Sequence, residues 1–146
     1  MIYTLIAIIG IKHYNTKLTY IETEVLNDSS DRLIQVCDNE TEIIQKFKSN
    51  YELISGIELK IGTNGRINNS KWNISIVDPL NEKTLCNTIV YASQITDGNY
   101  NNIEFDNRNI KIIKNKSYEI HISSIDADEL SSLAFFSSAS NVMSAQ

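Results

Sequence analysis

The sequence is short of the residues from which most catalytic and metal sites are built. Its 146 residues include two cysteines, two histidines, one tryptophan and one proline. Cys37 and Cys86 match no metal-binding or redox spacing, and His13 and His121 are not at ligand spacing. No nucleophile elbow, phosphate loop or cysteine–histidine pairing occurs. We therefore expect a protein that is not an enzyme, with no catalytic residues, no metal and no cofactor.

Two alternatives stay open at this point. Cys37 and Cys86 would form a disulfide if they face each other across a core, although we favour two reduced thiols that pack as small apolar groups. The paired carboxylates of a glycoside hydrolase are defined by their separation in space, which sequence spacing does not give. The acidic candidates stand in expected turns, where solvated charge is the default: Asp97, Asp106, Asp126, Asp128 and Glu129.

Positive charge is scarce as well. Thirteen Lys and Arg residues against eighteen Asp and Glu residues give a formal net charge of −5. A nucleic-acid groove needs clustered cations to displace counterions from phosphates, so we exclude nucleic acid as a partner. Abundant Asn, Ile and Lys with little Gly and Pro are typical of AT-rich bacterial genes. The length suits one domain that folds without disulfides or metal.

The one long apolar run is Met1–Ile11, which Lys12 ends. As a helix it would rise about 16 Å, against about 30 Å of bilayer hydrocarbon. It has neither a basic leading region nor a small-residue cleavage site, so it is a poor signal peptide. It can be the tail of a longer membrane anchor, a monotopic anchor, or a buried first strand. We favour the truncated anchor, with residues 1–31 as anchor and polar linker, 32–138 as the domain and 139–146 as a tail.

Short apolar runs with a period of two fill the chain after the linker. The clearest are Ile57–Ile61, Trp72–Ile76 and Tyr118–Ile122, in which alternate residues are apolar. Such alternation is typical of strands that are buried on one face. Weaker runs are Leu33–Cys37, Thr41–Ser49, Thr84–Ala92, Asn102–Asp106, Asn109–Ile113 and Leu130–Phe136.

Turn residues separate these runs. Pro79 supplies the fixed φ of a second turn position in Asp78–Asn81, and the pair Asp97-Gly98 tolerates a positive φ. Many short strands with frequent turns and no long amphipathic helix indicate a sandwich or jelly roll. We therefore predict an all-β fold, a jelly-roll-like antiparallel β-sandwich of about eight strands, preceded by the short apolar segment.

A series of short motifs runs through the same strands and turns. They are Gln45-x-Phe47, Leu53-x-x-Gly56, Thr63-x-x-Arg66-x-Asn68, Ile74-x-Ile76-x-Asp78, Ile95-x-Asp97, Ile103-x-Phe105, Lys116-x-Tyr118 and Ser124-x-Asp126. Over residues 33–136 the pattern resembles the carbohydrate-binding-module-like β-sandwich accessory domains attached to bacterial membrane proteins and glycosyltransferases of surface-polysaccharide synthesis. The chain departs from that pattern at Gly98, where Asn is expected, and at Leu133–Phe136, which lacks a closing tryptophan.

This resemblance implies an extracytoplasmic accessory module of the cell envelope. It would be held at the membrane by the N-terminal anchor or by a parent protein, and a cell-surface glycan would be its partner. The alternative is a structural or protein-interaction spacer that has no sugar site.

A sugar site needs an aromatic ring for the sugar face and planar polar groups for the hydroxyls. Trp72 shares a face with Ile74 and Ile76, so we expect it in the core, whereas Tyr100 lies beside a turn and can be presented. Our candidate ligand set joins Tyr100 to the loop residues Asn64, Arg66, Asn68 and Asn69. For Arg66 a second role is open, a structural clamp on a carboxylate or carbonyl of a neighbouring loop, and we favour the clamp.

Overall fold

The computed structural model describes residues 32–36, 38–107 and 109–137. Within these ranges one 3₁₀ turn, Ala92–Gln94, interrupts a series of strands. The strands are β1 (Arg32–Val36), β2 (Glu42–Lys48), β3 (Leu53–Ile54), β4 (Gly56–Gly62), β5 (Lys71–Asp78), β6 (Lys83–Tyr91), β7 (Asn99–Glu104), β8 (Ile110–Lys111), β9 (Ser117–Ser124) and β10 (Leu133–Ser137). The predicted membrane anchor and the C-terminal tail lie outside these ranges. No helix in the described part of the chain is both long and apolar enough to cross a bilayer.

The strands form two four-stranded antiparallel sheets and a short ribbon. One sheet has the order β1-β10-β4-β7, the other has the order β2-β9-β5-β6, and β3 pairs with β8 in the ribbon. Apart from the ribbon, this is the eight-stranded arrangement of a jelly roll, in which the chain passes repeatedly from one sheet to the other. The prediction of an all-β, jelly-roll-like sandwich is therefore confirmed.

The period-two runs face the core as the sequence predicts. Trp72, Ile74 and Ile76 of β5 are almost wholly buried, and Ile74 and Ile76 stand in register with Ile122 and Ile120 of β9. The remaining predicted core positions are Ile57, Leu59, Ile61 and Tyr118, which are buried or packed at the margin of the same cluster. A side-chain period of two places every second residue on one face, and burial of that face fixes the register.

Trp72 joins the two sheets. Its ring meets that of Phe135 in β10 edge to face, with 5.4 Å between ring centroids. Its indole nitrogen donates a hydrogen bond to Ser70 Oγ at 2.9 Å, so the polar group is satisfied inside the core. Trp72 is therefore a core residue, as expected.

Cys86 lies on the inner face of β6, where it is buried and free. Burial raises the pKa of its thiol to about 11, which keeps the sulfur protonated and unreactive at neutral pH. Cys37, the other cysteine of the alternative disulfide, lies outside the described residues.

Gly56 allows β4 and β7 to approach closely. A Cβ atom at this position would lie 2.6 Å from the carbonyl oxygen of Ile103 in β7. We expect Gly56→Ala to lower the free energy of unfolding by about 1 kcal/mol, at the low end of overpacking costs, because β7 is an edge strand and can shift.

Gly62→Ala is the matched control in the same strand. A Cβ atom there would meet only ordinary contacts, the nearest being 3.5 Å from a ring carbon of Phe136. Urea denaturation of both variants measures the difference. Equal stability of the two variants would contradict the close approach.

Candidate functional site

Three loops meet at one end of the sandwich: the β4–β5 loop (63–70), the β6–β7 connection (92–98) and the β9–β10 loop (125–132). The first begins with a tight turn in which the Arg66 N–H donates to the Thr63 carbonyl at 3.2 Å. Asn64 and Gly65 at its centre have φ values of 58° and 67°, the conformation of a type I′ turn that Asn-Gly favours. The Asn64 side chain points to solvent.

Asp97 ties the second loop to the first. Its Oδ1 accepts a hydrogen bond from the Thr63 N–H. This bond lowers the pKa of Asp97 from its ordinary value of 3.8, with further bonds from the Thr63 side chain and the Gly65 backbone acting in the same direction against partial desolvation. The carboxylate thus fixes the backbone of the turn and stays ionised at neutral pH.

Asp97→Asn should lower the melting temperature at neutral pH but not in acid. The variant should therefore lose less stability than the parent protein as the pH falls. Because the folded carboxyl has a lower pKa than the unfolded one, its stabilising contribution is present above about pH 4 and is lost as the pH falls through the folded pKa. Melting temperatures of both proteins from about pH 7 to about pH 2 should therefore converge below about pH 4. A constant difference over the whole range would contradict this role for Asp97.

Arg66 reaches from the first loop to the third. Its Nη1 donates to the Glu129 carbonyl at 3.2 Å and its Nη2 donates to Ser132 Oγ at 3.0 Å. Gln35 of β1 donates to the same hydroxyl at 3.0 Å, and Ser132 is fully buried. Arg66 is half-buried, and its guanidinium has the geometry of a clamp on the neighbouring loop.

Asn68 holds the same loop from inside. It is 1% exposed, and its Nδ2 donates to the Ser132 carbonyl at 2.8 Å and to the Thr63 carbonyl at 3.4 Å. A ligand at the surface cannot contact this side chain, so Asn68 serves the structure of the loop in this arrangement. Asn69 is exposed on the same loop. Amide side chains in a turn give the same sequence pattern whether they face solvent or the core. The sequence therefore did not show that Asn68 is buried.

Two acidic residues of the third loop accept hydrogen bonds from backbone N–H groups. Asp126 Oδ1 accepts from the Lys71 N–H at 2.6 Å, and Asp128 Oδ1 accepts from the N–H groups of Leu130 and Ser131 at 3.0 and 2.8 Å. In the chain as described, no group of three or more acidic, histidine or cysteine side chains is arranged to hold a metal ion. His121 faces outward on β9, with its two ring nitrogens each 3.1 Å from a carboxylate oxygen, of Glu42 and of Glu119.

A concave feature lies elsewhere, along the open side of the sandwich. A groove with a volume of about 380 Å³ runs between β6 and β7, the edge strands of the two sheets. It is lined by Thr88–Val90, by Gln94–Thr96 and by Tyr100–Glu104. Since β7 rises about 3.3 Å per residue, the Tyr100–Glu104 wall is about 13 Å long.

Tyr100 is among the residues that line this groove, and it is 54% exposed. The adjacent Asn101 points inward, where its amide accepts from the Thr96 N–H at 2.8 Å and donates to the carbonyls of Thr96 and Asn99 at 3.1 and 2.8 Å. These bonds fix the turn that precedes Tyr100. The backbone at Tyr100 is therefore held in place on the edge strand.

The structure thus divides the candidate ligand set. Tyr100 lines the groove, whereas Asn64, Arg66, Asn68 and Asn69 belong to the loop that clamps the end of the sandwich. The sequence interpretation did not single out Thr88, Gln94 or Asn102, which complete the groove. One signal was available, because residues 84–96 contain no charged residue, which is unusual for an edge strand and the connection that follows it.

No family model matches this sequence, and no curated protein matches it. Among solved structures the chain is similar to a family two carbohydrate esterase from Cellvibrio japonicus, with a TM-score of 0.31 and 9% sequence identity. The match covers 79% of this chain and 35% of the esterase chain, so the chain spans about a third of that protein.

Proposed function

We propose that this domain is a glycan-recognition module and that the groove between β6 and β7 is its binding site. The observation that carries the proposal is that the exposed Tyr100 lines the groove together with residues that bear amides and hydroxyls, among them Gln94, Asn102 and Thr88. A sugar ring presents an apolar face that packs on an aromatic side chain, and its hydroxyls both donate and accept hydrogen bonds. Amide and hydroxyl side chains can likewise both donate and accept hydrogen bonds, so they can pair with sugar hydroxyls.

The two open strand edges support the same proposal. Among the described strands, β6 has only β5 as a neighbour in its sheet, and β7 has only β4. Alternate residues of an antiparallel edge strand direct their N–H and C=O groups away from the sheet. Both walls of the groove therefore add backbone donors and acceptors to those of the side chains, which suits an extended ligand rich in hydroxyls.

The cellular setting is also a proposal. We place the domain on the extracytoplasmic side of a bacterial cell envelope, as a non-catalytic accessory module of a membrane-anchored protein. The apolar run Met1–Ile11 and the resemblance of the strand pattern to envelope accessory domains support this setting.

Tyr100→Ala tests the proposed site. A glycan array identifies a bound oligosaccharide, and calorimetric titration of that oligosaccharide measures the dissociation constant. We expect the variant to bind at least about tenfold more weakly, as for a central aromatic contact, with an unchanged melting temperature because the side chain is exposed.

Tyr91→Ala is the matched control. Tyr91 is 46% exposed at the end of β6, but it is not among the residues that line the groove. It should bind as the parent protein does. Equal binding by the Tyr100 variant, or absence of any bound glycan, would refute the proposed site.

A second candidate function is pairing with another chain through β6. This strand is the longest of those described, nine residues at the edge of its sheet, and its only charged residue is Lys83 at the start. The opposite edge strand, β2, carries Glu42, Lys46 and Lys48. Charge normally protects an open edge, and an unprotected one can add a strand. Sedimentation of the purified domain over a range of concentrations distinguishes the two functions, since a glycan module without this pairing stays monomeric.

A further inference from the structure

Part of the groove lining is aliphatic. Ile89, Val90 and Ile95, from the end of β6 and the connection that follows it, are among the lining residues. Val90 and Ile95 are half-buried against the core, whereas Ile89 is 51% exposed. The apolar face of an unsubstituted sugar already has Tyr100 as a partner in the proposed site. The aliphatic residues therefore indicate a ligand that carries a further apolar group.

The backbone of Ile89 is directed towards the same groove. Val90 stands opposite Trp72 in the register, and two residues further on the Ala92 N–H donates to the Ser70 carbonyl at 2.9 Å. Hydrogen-bonded and open positions alternate along an antiparallel strand. Ala92 and Val90 therefore bond towards β5, and the N–H and C=O groups of Ile89 point away from β5, to the edge that borders the groove.

The edge of β7 repeats this arrangement on the other wall. The Phe105 N–H donates to the Ser55 carbonyl at 3.1 Å, and the Ile103 carbonyl oxygen lies 2.6 Å from the place of a Cβ atom on Gly56. The backbone groups of Phe105 and Ile103 are thus turned to the side on which β4 lies. By the same alternation, Asn102 directs its N–H and C=O away from β4, towards the groove that it lines.

An acetamido group combines the features that these two edges would bind. Its N–H donates and its carbonyl accepts, as in a peptide group, so it can pair with a strand edge as an added strand does. Packed sheets stand about 10 Å apart, about twice the spacing of neighbouring strands, so one amide group between two edges can bond to both. Its methyl group is apolar and can pack on an aliphatic side chain. A sugar hydroxyl has no such methyl group.

We infer that the ligand of this groove is a glycan of N-acetylated sugars that is held by an acetamido group. The amide pairs with the strand edges at Ile89 and Asn102, and the methyl group packs on the exposed side chain of Ile89. The inference rests on the proposed glycan function and deepens it, because it names the substituent that the groove recognises.

The first test compares glycans that differ only in this substituent. The array contains N-acetylated glycans and counterparts with a hydroxyl in place of each acetamido group, such as chitin and cellulose oligomers of equal length. We expect N-acetylated glycans to be the strongest hits. In calorimetric titration they should bind at least about tenfold more tightly than their counterparts, because they add a buried methyl group and amide hydrogen bonds.

The second test assigns the methyl group to Ile89. The best ligand is de-N-acetylated and then N-formylated, which keeps the amide and removes the methyl group. We expect the formyl derivative to bind about fourfold more weakly to the parent protein, as for one buried methyl group. In Ile89→Thr, which keeps a branched side chain but makes it polar, this preference should largely disappear. Ile125→Thr should retain the preference, since Ile125 is 44% exposed in the β9–β10 loop and is not among the lining residues.

The outcomes separate the two proposals. Hits that depend on Tyr100 but carry no acetamido group, or counterparts that bind as tightly as the N-acetylated glycans, would overturn this inference and leave the glycan function standing. An unchanged preference for acetyl over formyl in Ile89→Thr would overturn it as well. If no glycan binds, the proposed function fails, and this inference fails with it.

Discussion

Replacing Trp72 with alanine should lower the free energy of unfolding by about 3–5 kcal/mol, the usual cost of removing a large aromatic side chain from a core. Trp72 is wholly buried, and it contacts Phe135 of the opposite sheet with 5.4 Å between ring centroids. Its removal therefore opens a cavity where the two sheets meet. Urea denaturation followed by circular dichroism measures the loss.

Trp72→Phe is the control for this substitution. It keeps an aromatic ring between the sheets and removes the hydrogen bond from the indole to Ser70 Oγ. We expect a smaller loss of about 1–2 kcal/mol. A loss below about 1 kcal/mol in Trp72→Ala would mean that the contact with Phe135 does not hold the sandwich together.

Arg66→Ala should cost about 2 kcal/mol, the second largest effect that we expect. The substitution removes a charged donor from the Glu129 carbonyl and the Ser132 hydroxyl. A hydrogen bond to a charged group is worth about 1.5–3 kcal/mol. The bond to the Glu129 carbonyl is exposed to solvent, so most of the loss comes from the part-buried bond to Ser132. Because both partners lie on the β9–β10 loop, we also expect faster amide hydrogen exchange there. Differential scanning calorimetry with exchange mass spectrometry measures both effects.

Ile67→Ala is the matched control in the same loop. Ile67 is 89% exposed, so its truncation should change stability by no more than about 0.5 kcal/mol. An unchanged melting curve for Arg66→Ala together with lost glycan binding would show instead that Arg66 contacts ligand. That result would restore the original ligand set around Arg66 and contradict the clamp.

The strands were predictable where burial and alternation coincide. Trp72–Ile76 and Tyr118–Ile122 alternate because one face of each strand packs on the core, and a single sequence shows that period directly. β3 was not predicted, since it consists of only Leu53–Ile54 and cannot show a period. β7 begins earlier than expected, at Asn99, because the inward-facing Asn101 replaces an apolar residue and satisfies its amide on the preceding turn.

The site was predictable only in part, for a different reason. Proximity to a turn indicates that Tyr100 is exposed, which is a local property. The inward orientation of Asn68 depends on the Ser132 carbonyl, and the contact of Arg66 depends on the Ser132 hydroxyl. Both partners lie far along the chain. The groove itself exists because β6 and β7 come to the same side of the sandwich from different sheets, and no local pattern specifies that pairing of edges.

The pairing of β1 with β10 has a consequence for how such a domain can be mounted. Arg32 and Ser137 are opposite each other in the register, so the polypeptide enters and leaves the sandwich through adjacent strands, about 5 Å apart. The two ends of the described domain therefore lie side by side, a geometry that permits insertion of the domain into a loop of another protein. β1 and β7 are the two edge strands of their sheet, so the groove beside β7 lies on the side of the sandwich opposite to β1. The edge strand that holds the start of the described domain is thus not the edge strand that lines the groove.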